Sequence, residues 1–377
     1  MDAETLFPVG TPAGEGHVVD REDYITSVYQ RLLDGQSIMM SGPRRTGKSS
    51  VALEILRRLK KEGAYIAVVD LFTTASIEEM AAKLFHSILD NRTGVYRYAF
   101  HAVQSLKDRF EKAEFRAKLH DLELGLTLER SLVNPVDLLD AAITTAENLA
   151  KKDETRMVVL LDEFQEIERL GGDQLLKKLR ALFQQQHYVK YLFLGSQTTL
   201  MNTLFSSRQQ AFYRFATIMD LPDIPVDEWK RYIVEQLAAQ NIQISSPAFS
   251  LLMQKTGGHP YCVMAVAYNA YLQTKLNGMT SISADVMHFA YEQSLTQLDG
   301  VYTGQLTEIH RFKHADAVLA AIIDGIPPYS LKVANAAIGK ALAYLIRIAV
   351  ITKGRHRGEY HLIEPLFGEW LVKRRNS

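Results

Sequence analysis

Residues 37–50 read SIMMSGPRRTGKSS. The apolar run Ser37–Ser41 predicts a buried β-strand, and Gly42–Ser49 match the pattern GxxxxGK followed by Ser or Thr. Apolar residues then recur at helical spacing from Ser49 to Lys61. A strand, a glycine-bearing loop and a helix in this order predict a loop that binds phosphate groups.

The residue types of this loop suit a nucleotide. Glycines let backbone amides converge on an anion, and the positive end of the following helix dipole points to the same place. Lys48 supplies a cation for the β- and γ-phosphates, and the Ser49 hydroxyl can bind Mg²⁺. We therefore expect ATP or ADP to bind at Gly42, Pro43, Arg44, Arg45, Thr46, Gly47, Lys48, Ser49 and Ser50.

A second apolar run ends in two acids. Met157–Leu161 predicts a buried strand, and Asp162 and Glu163 follow it directly. Unpaired buried acids are costly, and a magnesium nucleotide would compensate for them. We expect Asp162 to hold the metal together with Ser49, and Glu163 to act as a catalytic residue that orients and deprotonates the attacking water.

Three more apolar runs predict strands at Tyr65–Leu71, Tyr191–Gly195 and Thr217–Leu221. Strands that alternate with helical stretches such as Asp137–Lys151 indicate right-handed crossovers. The sequence therefore predicts an α/β fold with a parallel sheet flanked by helices over the first two-thirds of the chain.

Polar residues follow the predicted strand Tyr191–Gly195. Ligands of parallel sheets lie beyond the carboxyl ends of the strands, so Ser196 or the candidate catalytic residue Gln197 could reach the γ-phosphate or the attacking water. A helix cap formed by Ser196 or Thr198 explains the same residues equally well.

These motifs together resemble those of the archaeal-type ATPases, a branch of the STAND and AAA+ class of P-loop NTPases. The resemblance rests on GPRRTGKSS at 42–50, VVLLDEFQEI at 158–167 and LFLGSQ at 192–197. It extends to HVVDRE at 17–22, similar to an Arg-Glu element, to TGGHPY at 256–261, similar to the GxP element, and to EPLFGEW at 364–370, similar to the close of a winged helix. It covers about Phe7 to Arg375.

By position, the resemblance implies that Arg21 lies near the adenine or the phosphates and that Pro260 packs on the nucleotide. The residues alone explain Pro260 differently, since Gly257-Gly258 breaks a helix and a proline starts the next one. Ala211–Arg214 loosely match the family's Pro-Leu-Tyr-Gly-Arg stretch, which makes Arg214 a candidate catalytic residue. Its guanidinium would sense the γ-phosphate in the same chain or in a neighbouring one.

The predicted organisation has three domains: a P-loop ATPase core at 1–225 with a helical insertion at about 91–132, a helical lid at 226–306 and a winged helix at 307–377. The insertion contains a helix candidate, Tyr96–Lys118, and an alternating stretch, Leu122–Leu128. The lid is predicted from helices at Val226–Gln240, Pro247–Lys255, Pro260–Leu276 and Ser283–Asp299, followed by a glycine-bearing loop at Asp299–Gly304. The winged helix is predicted from helices at Ala315–Ile323, Lys332–Ile346 and Leu366–Arg375 and from strands at Ala349–Lys353 and Glu359–Ile363.

The charge distribution bears on partners. Lys plus Arg and Asp plus Glu balance at 43 each, so no overall field attracts nucleic acid or a membrane. Residues 308–377 carry eleven Lys or Arg against six acids, and Lys353, Arg355 and Arg357 crowd one predicted hairpin. DNA contact through this wing is one interpretation. A solvated basic wing is the other, because the preceding helix lacks base-reading side chains.

Composition suggests a cytoplasmic protein without a membrane partner. The single Cys262 cannot form an intrachain disulfide, and no apolar run approaches the length of a membrane helix. Residues 1–10 show no secretory signal.

Two functions follow, and both remain open. One is an ATPase with slow turnover that uses Mg-ATP binding and hydrolysis as a conformational switch between core, lid and winged helix. The other is a nucleotide-held adaptor or DNA-binding regulator with negligible turnover. Glu163 favours the first, because a pure binding module does not need a carboxylate there. A protein partner or self-association is compatible with either.

Overall fold

A computed structural model describes residues 6–14, 17–91, 134–196, 198–354, 356 and 358–376. The predicted insertion from residue 92 onward, with Tyr96–Lys118 and Leu122–Leu128, lies outside the described residues, as do Gln197, Arg355 and Arg357. The chain forms two compact units. The first comprises Met1–Arg21, Gly42–Ser50 and Leu221–Ser377, and the second comprises Glu22–Ser41 and Val51–Asp220.

The second unit is built on a five-stranded sheet. Its strands are β1 (Ile38–Ser41), β2 (Tyr65–Asp70), β3 (Met157–Asp162), β4 (Val189–Gly195) and β5 (Thr217–Asp220). They lie in the order β2-β3-β4-β1-β5, and every neighbouring pair is parallel. All five predicted strands are therefore present, within two residues of their expected bounds.

Helices connect these strands. They are α1 (Glu22–Leu33), α2 (Lys48–Lys61), α3 (Ile77–Leu89), α4 (Pro135–Lys152), α5 (Ile167–Gln184) and α6 (Thr198–Ser206). Capping explains two of the starts, since Ser76 accepts from the Glu79 N–H and Asn134 accepts from the Val136 N–H. β3 is buried from Met157 to Leu161, as expected for a strand with both faces covered. The predicted α/β fold with a parallel sheet is confirmed.

The first unit is mainly helical. Its first elements are α7 (Val226–Ala238), the short strand β6 (Gln243–Ile244), α8 (Ser246–Thr256), α9 (Pro260–Leu276), β7 (Ser281–Ile282) and α10 (Ala284–His310). They are followed by α11 (Ala315–Ile323), α12 (Asn335–Arg347), β8 (Ile351–Lys353), β9 (Tyr360–Leu362) and α13 (Pro365–Asn376). β8 and β9 form an antiparallel hairpin. The winged-helix identity of this last segment and the three-domain division stay predictions.

One predicted loop is wrong. Asp299–Gly304 lies inside α10, which continues to His310. Leu298, Tyr302 and Ile309 are buried, so the packing face of the helix continues past the two glycines, which lie on its other side. Gly300 and Gly304 face open space, and tertiary packing outweighs their intrinsic cost of about 1 kcal/mol each.

Among the helices that the structure describes, none combines the length and the apolar character needed to span a bilayer.

Candidate functional site

The phosphate loop occupies residues 42–47, between β1 and α2, and its geometry favours glycine at both ends. Gly47 has φ +93°, in the left-handed region that favours glycine. A Cβ on Gly42 would lie 3.3 Å from the Leu221 Cβ and 3.4 Å from the Thr46 Oγ1. The loop therefore adopts a conformation that most residues could not follow. α2 begins directly after it, at Lys48.

Hydrogen bonds within the loop converge on one carbonyl. The Lys48 Nζ donates to the Pro43 oxygen at 2.6 Å, and the Thr46 Oγ1 donates to the same oxygen at 2.8 Å. The lysine is 7% exposed, so its cation is held inside the loop. Arg44 is exposed, Ser49 is partly buried in the first turn of α2, and the Ser50 Oγ accepts from the Ala13 N–H at 2.9 Å.

Arg21 touches the backbone of the phosphate loop. Its Nη1 donates to the Thr46 carbonyl at 2.8 Å, and its Nε donates to the Pro222 carbonyl at 3.1 Å. The residue is buried and has φ +73°, so the chain accepts backbone strain to place the guanidinium there. Arg21 thus braces the loop against the segment that follows β5. Its predicted contact with the nucleotide stays a prediction.

Arg45 links the phosphate loop to the segment before α13. Its Nη1 donates to the Glu364 Oε2 at 2.9 Å, and its guanidinium carbon lies 4.5 Å from the centre of the Tyr261 ring. The Tyr302 hydroxyl, on α10, donates to the other oxygen of Glu364. One carboxylate therefore joins the loop to α10 and to the start of α13.

Pro260 occupies the first position of α9, and Gly257 ends α8 with φ +58°. This local geometry agrees with the helix-break explanation. His259, next to the proline, is 9% exposed, and neither ring nitrogen has a hydrogen-bond partner among the described residues. Burial lowers the pKa of His259, and the nearby Glu364 carboxylate opposes that shift.

The predicted carboxylates lie at the carboxyl end of β3. Asp162 is the last residue of the strand, and its Oδ1 accepts from the Glu163 N–H at 2.8 Å. Glu163 follows with φ 50° and ψ 48°, a left-handed conformation that turns the chain out of the sheet. Asp70, the last residue of β2, is the register partner of Asp162.

Glu163 is held by three donors. Its Oε2 accepts from the Gln165 Nε2 at 2.5 Å, from the Ser196 N–H at 3.1 Å and from the Ser196 Oγ at 2.9 Å. Ser196 follows β4 directly, so the ends of two neighbouring strands meet at this carboxylate. The structure therefore shows Ser196 contacting Glu163, a contact that neither sequence-based explanation of Ser196 includes.

Arg214 lies at the opposite edge of the sheet. It lines a cavity of about 480 Å³ together with Ser37, Lys190 and Thr217, which stand at the amino ends of β1, β4 and β5. Asp162 and Glu163 stand at the carboxyl ends, and a seven-residue strand such as β4 separates the edges by about 20 Å. Of the two interpretations of Arg214, this placement disfavours sensing in its own chain, and action on a neighbouring chain stays a prediction.

Sequence reasoning missed three contact residues: Gln165, Glu364 and Tyr302. Gln165 stands two residues after Glu163 in the quoted motif, which was its only signal. Glu364 lies 319 positions from Arg45, so no local pattern could have indicated their pairing.

The donor set fits a magnesium nucleotide. Mg²⁺ is typically bound through one or two carboxylates together with substrate phosphates, and the Asp162 carboxylate and the Ser49 hydroxyl are each of a suitable chemical type. That these two residues bind one metal ion stays a prediction. In the described part of the chain, no group of three or more His, Cys, Asp or Glu is placed to hold a metal by itself.

A parallel sheet whose strand β1 leads through GxxxxGKS into a helix, and whose strand β3 ends at Asp162 directly before Glu163, defines a P-loop nucleotide-binding protein. Residues 18–266 match the family of ATPase domains found predominantly in Archaea. That match spans more than half of the chain, so the chain belongs to this family. It is an ATPase, and it binds ATP.

Solved structures share the fold. The Walker-type ATPase PABY2304 of Pyrococcus abyssi superposes with a TM-score of 0.71 at 18% identity, over 98% of this chain and 100% of that chain. The ORC2 protein of Aeropyrum pernix, in ADPNP-ADP complexes, gives 0.60 at 15% identity over 99% and 98%. Cdc6p from Pyrobaculum aerophilum gives 0.52 at 12% identity over 98% of both chains. No curated protein matches the sequence.

Proposed function

We propose that this ATPase is a slow conformational switch. Mg-ATP binding and hydrolysis change the contact between the phosphate loop and the C-terminal segment, residues 364–376, which comprises Glu364 and α13. The observation that carries the proposal is the ion pair between Arg45 and Glu364. Arg45 belongs to a loop whose cations are expected to meet phosphates, yet its guanidinium binds a carboxylate. A phosphate and Glu364 would therefore compete for one cation.

The contacts of Glu364 support a route for the signal. The residue stands directly before α13, and the buried Tyr302 of α10 donates to it. When the Arg45 guanidinium binds a phosphate, Glu364 still accepts the hydrogen bond from Tyr302 but loses its ion pair with Arg45. The start of α13 is then held less firmly. Coupling of this kind is reciprocal, so the C-terminal segment also sets the affinity of the loop for ATP.

The chain's own residues provide the remaining roles. Lys48 now donates to the Pro43 carbonyl, and we expect a phosphate oxygen to replace that acceptor. Ser49 and Asp162 would hold Mg²⁺, which when bound neutralises the charge on the phosphates. Glu163 would take the proton of the attacking water. β1 and β3 are parallel strands of one sheet, so the carboxyl end of β1 lies at the sheet edge that carries Asp162 and Glu163.

The location and the partners are further parts of the proposal. We expect a cytoplasmic protein whose segment 307–377 is a winged helix.

DNA binding by α13 is disfavoured, because Lys373 pairs with Glu292 and Arg375 pairs with Asp324 within the same unit. Lys353 stands on the β8–β9 hairpin and is the described part of the predicted basic wing.

Hydrogen–deuterium exchange of α13 tests the switch. Glu163→Gln would hold ATP without hydrolysing it, so the variant should be compared without nucleotide, with ADP and with Mg-ATP. We expect the amides of α13 from Leu366 onward to exchange faster with ATP than without nucleotide, while α3 in the other unit serves as a control and stays unchanged. Identical α13 exchange in all three states would contradict the switch.

A further inference from the structure

Gln165 is a buried polar side chain for which the proposed function has no role. It is 5% exposed, and its Nε2 donates to the Glu163 Oε2 at 2.5 Å. Its Oε1 has no hydrogen-bond partner among the described residues. Within the described part of the chain, the side chain is therefore only half satisfied, and the one hydrogen bond it makes there goes to the carboxylate expected to activate water.

The backbone around Gln165 is fixed by the core. Phe164–Glu166 form a 3₁₀ turn, and the Glu166 N–H donates to the Glu163 carbonyl at 2.9 Å. Phe164 is fully buried, with its ring centre 4.7 Å from that of Phe193 and 5.1 Å from that of Phe212. This anchor leaves the turn little freedom, so the direction of Gln165 towards Glu163 is built into the fold.

The three hydrogen bonds that described residues donate to the Glu163 side chain all go to the same oxygen. Gln165 contributes one hydrogen bond to Oε2, and Ser196 contributes two. An oxygen that accepts three hydrogen bonds has no lone pair left for a proton from water. The other oxygen, Oε1, is thereby the one that can accept the proton, and the rotation of the carboxylate is set by its neighbours.

The amide oxygen of Gln165 has no partner in the ranges that the structure describes, which makes a packing role a poor explanation of this residue. A buried carbonyl without a partner lowers stability, and a methionine of similar length would fill the same space without that penalty. What methionine could not supply is the N–H donated to Glu163.

We propose that Gln165, together with Ser196, is a positioning residue that immobilises Oε2 of Glu163 and leaves Oε1 to act as the base. The inference rests on the proposed role of Glu163 in hydrolysis. It predicts that loss of the Gln165 donor slows the chemical step while ATP binding is maintained, because Gln165 itself does not touch the nucleotide in this role.

The test compares Gln165→Met with Gln186→Met. Gln186 is a matched control, since it is also buried, donates to the Ile143 carbonyl at 2.8 Å and accepts from the Tyr191 hydroxyl at 2.5 Å, and it lines the cavity at the amino edge of the sheet. We expect Gln165→Met to lower kcat roughly 10- to 100-fold with KM for ATP within about twofold and the thermal midpoint unchanged or raised. Gln186→Met should lower the thermal midpoint and leave kcat unchanged.

A wild-type kcat in Gln165→Met would overturn the inference, and so would a parallel loss of ATP affinity. If Gln165→Met does not fold, Ser196→Ala tests the same claim. This variant keeps the backbone donor and should lower kcat less than Gln165→Met does, by under about tenfold, again with KM unchanged. Glu163→Gln separates the proposed role of Glu163 from that of Gln165. Full ATP turnover by Glu163→Gln would refute Glu163 as the base. Loss of turnover in Glu163→Gln, together with full turnover in Gln165→Met, would refute only the positioning role of Gln165.

Discussion

Glu364→Gln should strengthen ATP binding, because it removes the carboxylate that competes for Arg45. The ion pair has an N–O distance of 2.9 Å, and the two side chains are 36% and 13% exposed. A pair that is open to water on the arginine side contributes about 1 kcal/mol. One kcal/mol corresponds to a factor of about five in an equilibrium constant, so the Kd for ATP should fall about fivefold.

The chain contains a matched control for this variant. Glu369 accepts from the Lys255 Nζ at 2.9 Å and from the Tyr291 hydroxyl at 2.8 Å, and thus repeats the chemistry of Glu364 away from the phosphate loop. Glu369→Gln should lower the free energy of unfolding about as much as Glu364→Gln does, and it should leave the affinity for ATP unchanged.

Titration calorimetry with Mg-ATP measures both affinities, in a Glu163→Gln background so that ATP is not consumed. An unchanged or weaker affinity in Glu364→Gln would refute the competition. An equal gain in Glu369→Gln would show that the effect comes from general loosening of the C-terminal segment.

Three further outcomes are expected. Gly195→Ala places a Cβ within 2.5 Å of both the Met201 Cγ and the Gln165 Oε1, so both side chains must shift. The thermal midpoint should fall, and kcat should fall about tenfold with unchanged ATP affinity; wild-type turnover would contradict this. Burial raises the pKa of the Cys262 thiol, so the thiol stays protonated at pH 8. Iodoacetamide should modify Cys262 only after the protein is unfolded in urea. Rapid labelling of the native protein would contradict the burial of this thiol. The Glu147 carboxylate accepts hydrogen bonds from three successive backbone N–H groups at the start of β4. Glu147→Gln should therefore lower the free energy of unfolding, measured by urea titration, by about 1.5–3 kcal/mol and leave ATP turnover unchanged. A variant as stable as the wild type would contradict this.

Local patterns were sufficient to predict the sheet and the loop. β1, β3 and β4 are continuous apolar runs because both faces of the sheet are covered, and the phosphate loop is a contiguous motif. α9 begins at Pro260 because a proline fits the first turn of a helix. Each of these features depends on residues that are neighbours in the sequence.

Features that depend on distant residues could not be predicted. The glycines of α10 predicted a loop, but burial of Tyr302 keeps that segment helical. The pairing of Arg45 with Glu364 joins positions far apart in the chain, and the contact of Gln165 with Glu163 becomes meaningful only once Ser196 is placed beside them. Arg214 carried the right chemistry for a phosphate sensor, yet the sequence did not show at which edge of the sheet it lies.

Turnover of Mg-ATP by the wild-type chain, Lys48→Ala and Glu163→Gln tests whether the phosphate loop binds ATP and Glu163 takes part in its hydrolysis. We expect magnesium-dependent phosphate release from the wild type, no measurable ATP binding by Lys48→Ala, and normal ATP binding with at least about 100-fold slower release by Glu163→Gln. Full-rate hydrolysis by Glu163→Gln, or unchanged ATP affinity in Lys48→Ala, would contradict the assignment of this loop and this carboxylate to the reaction.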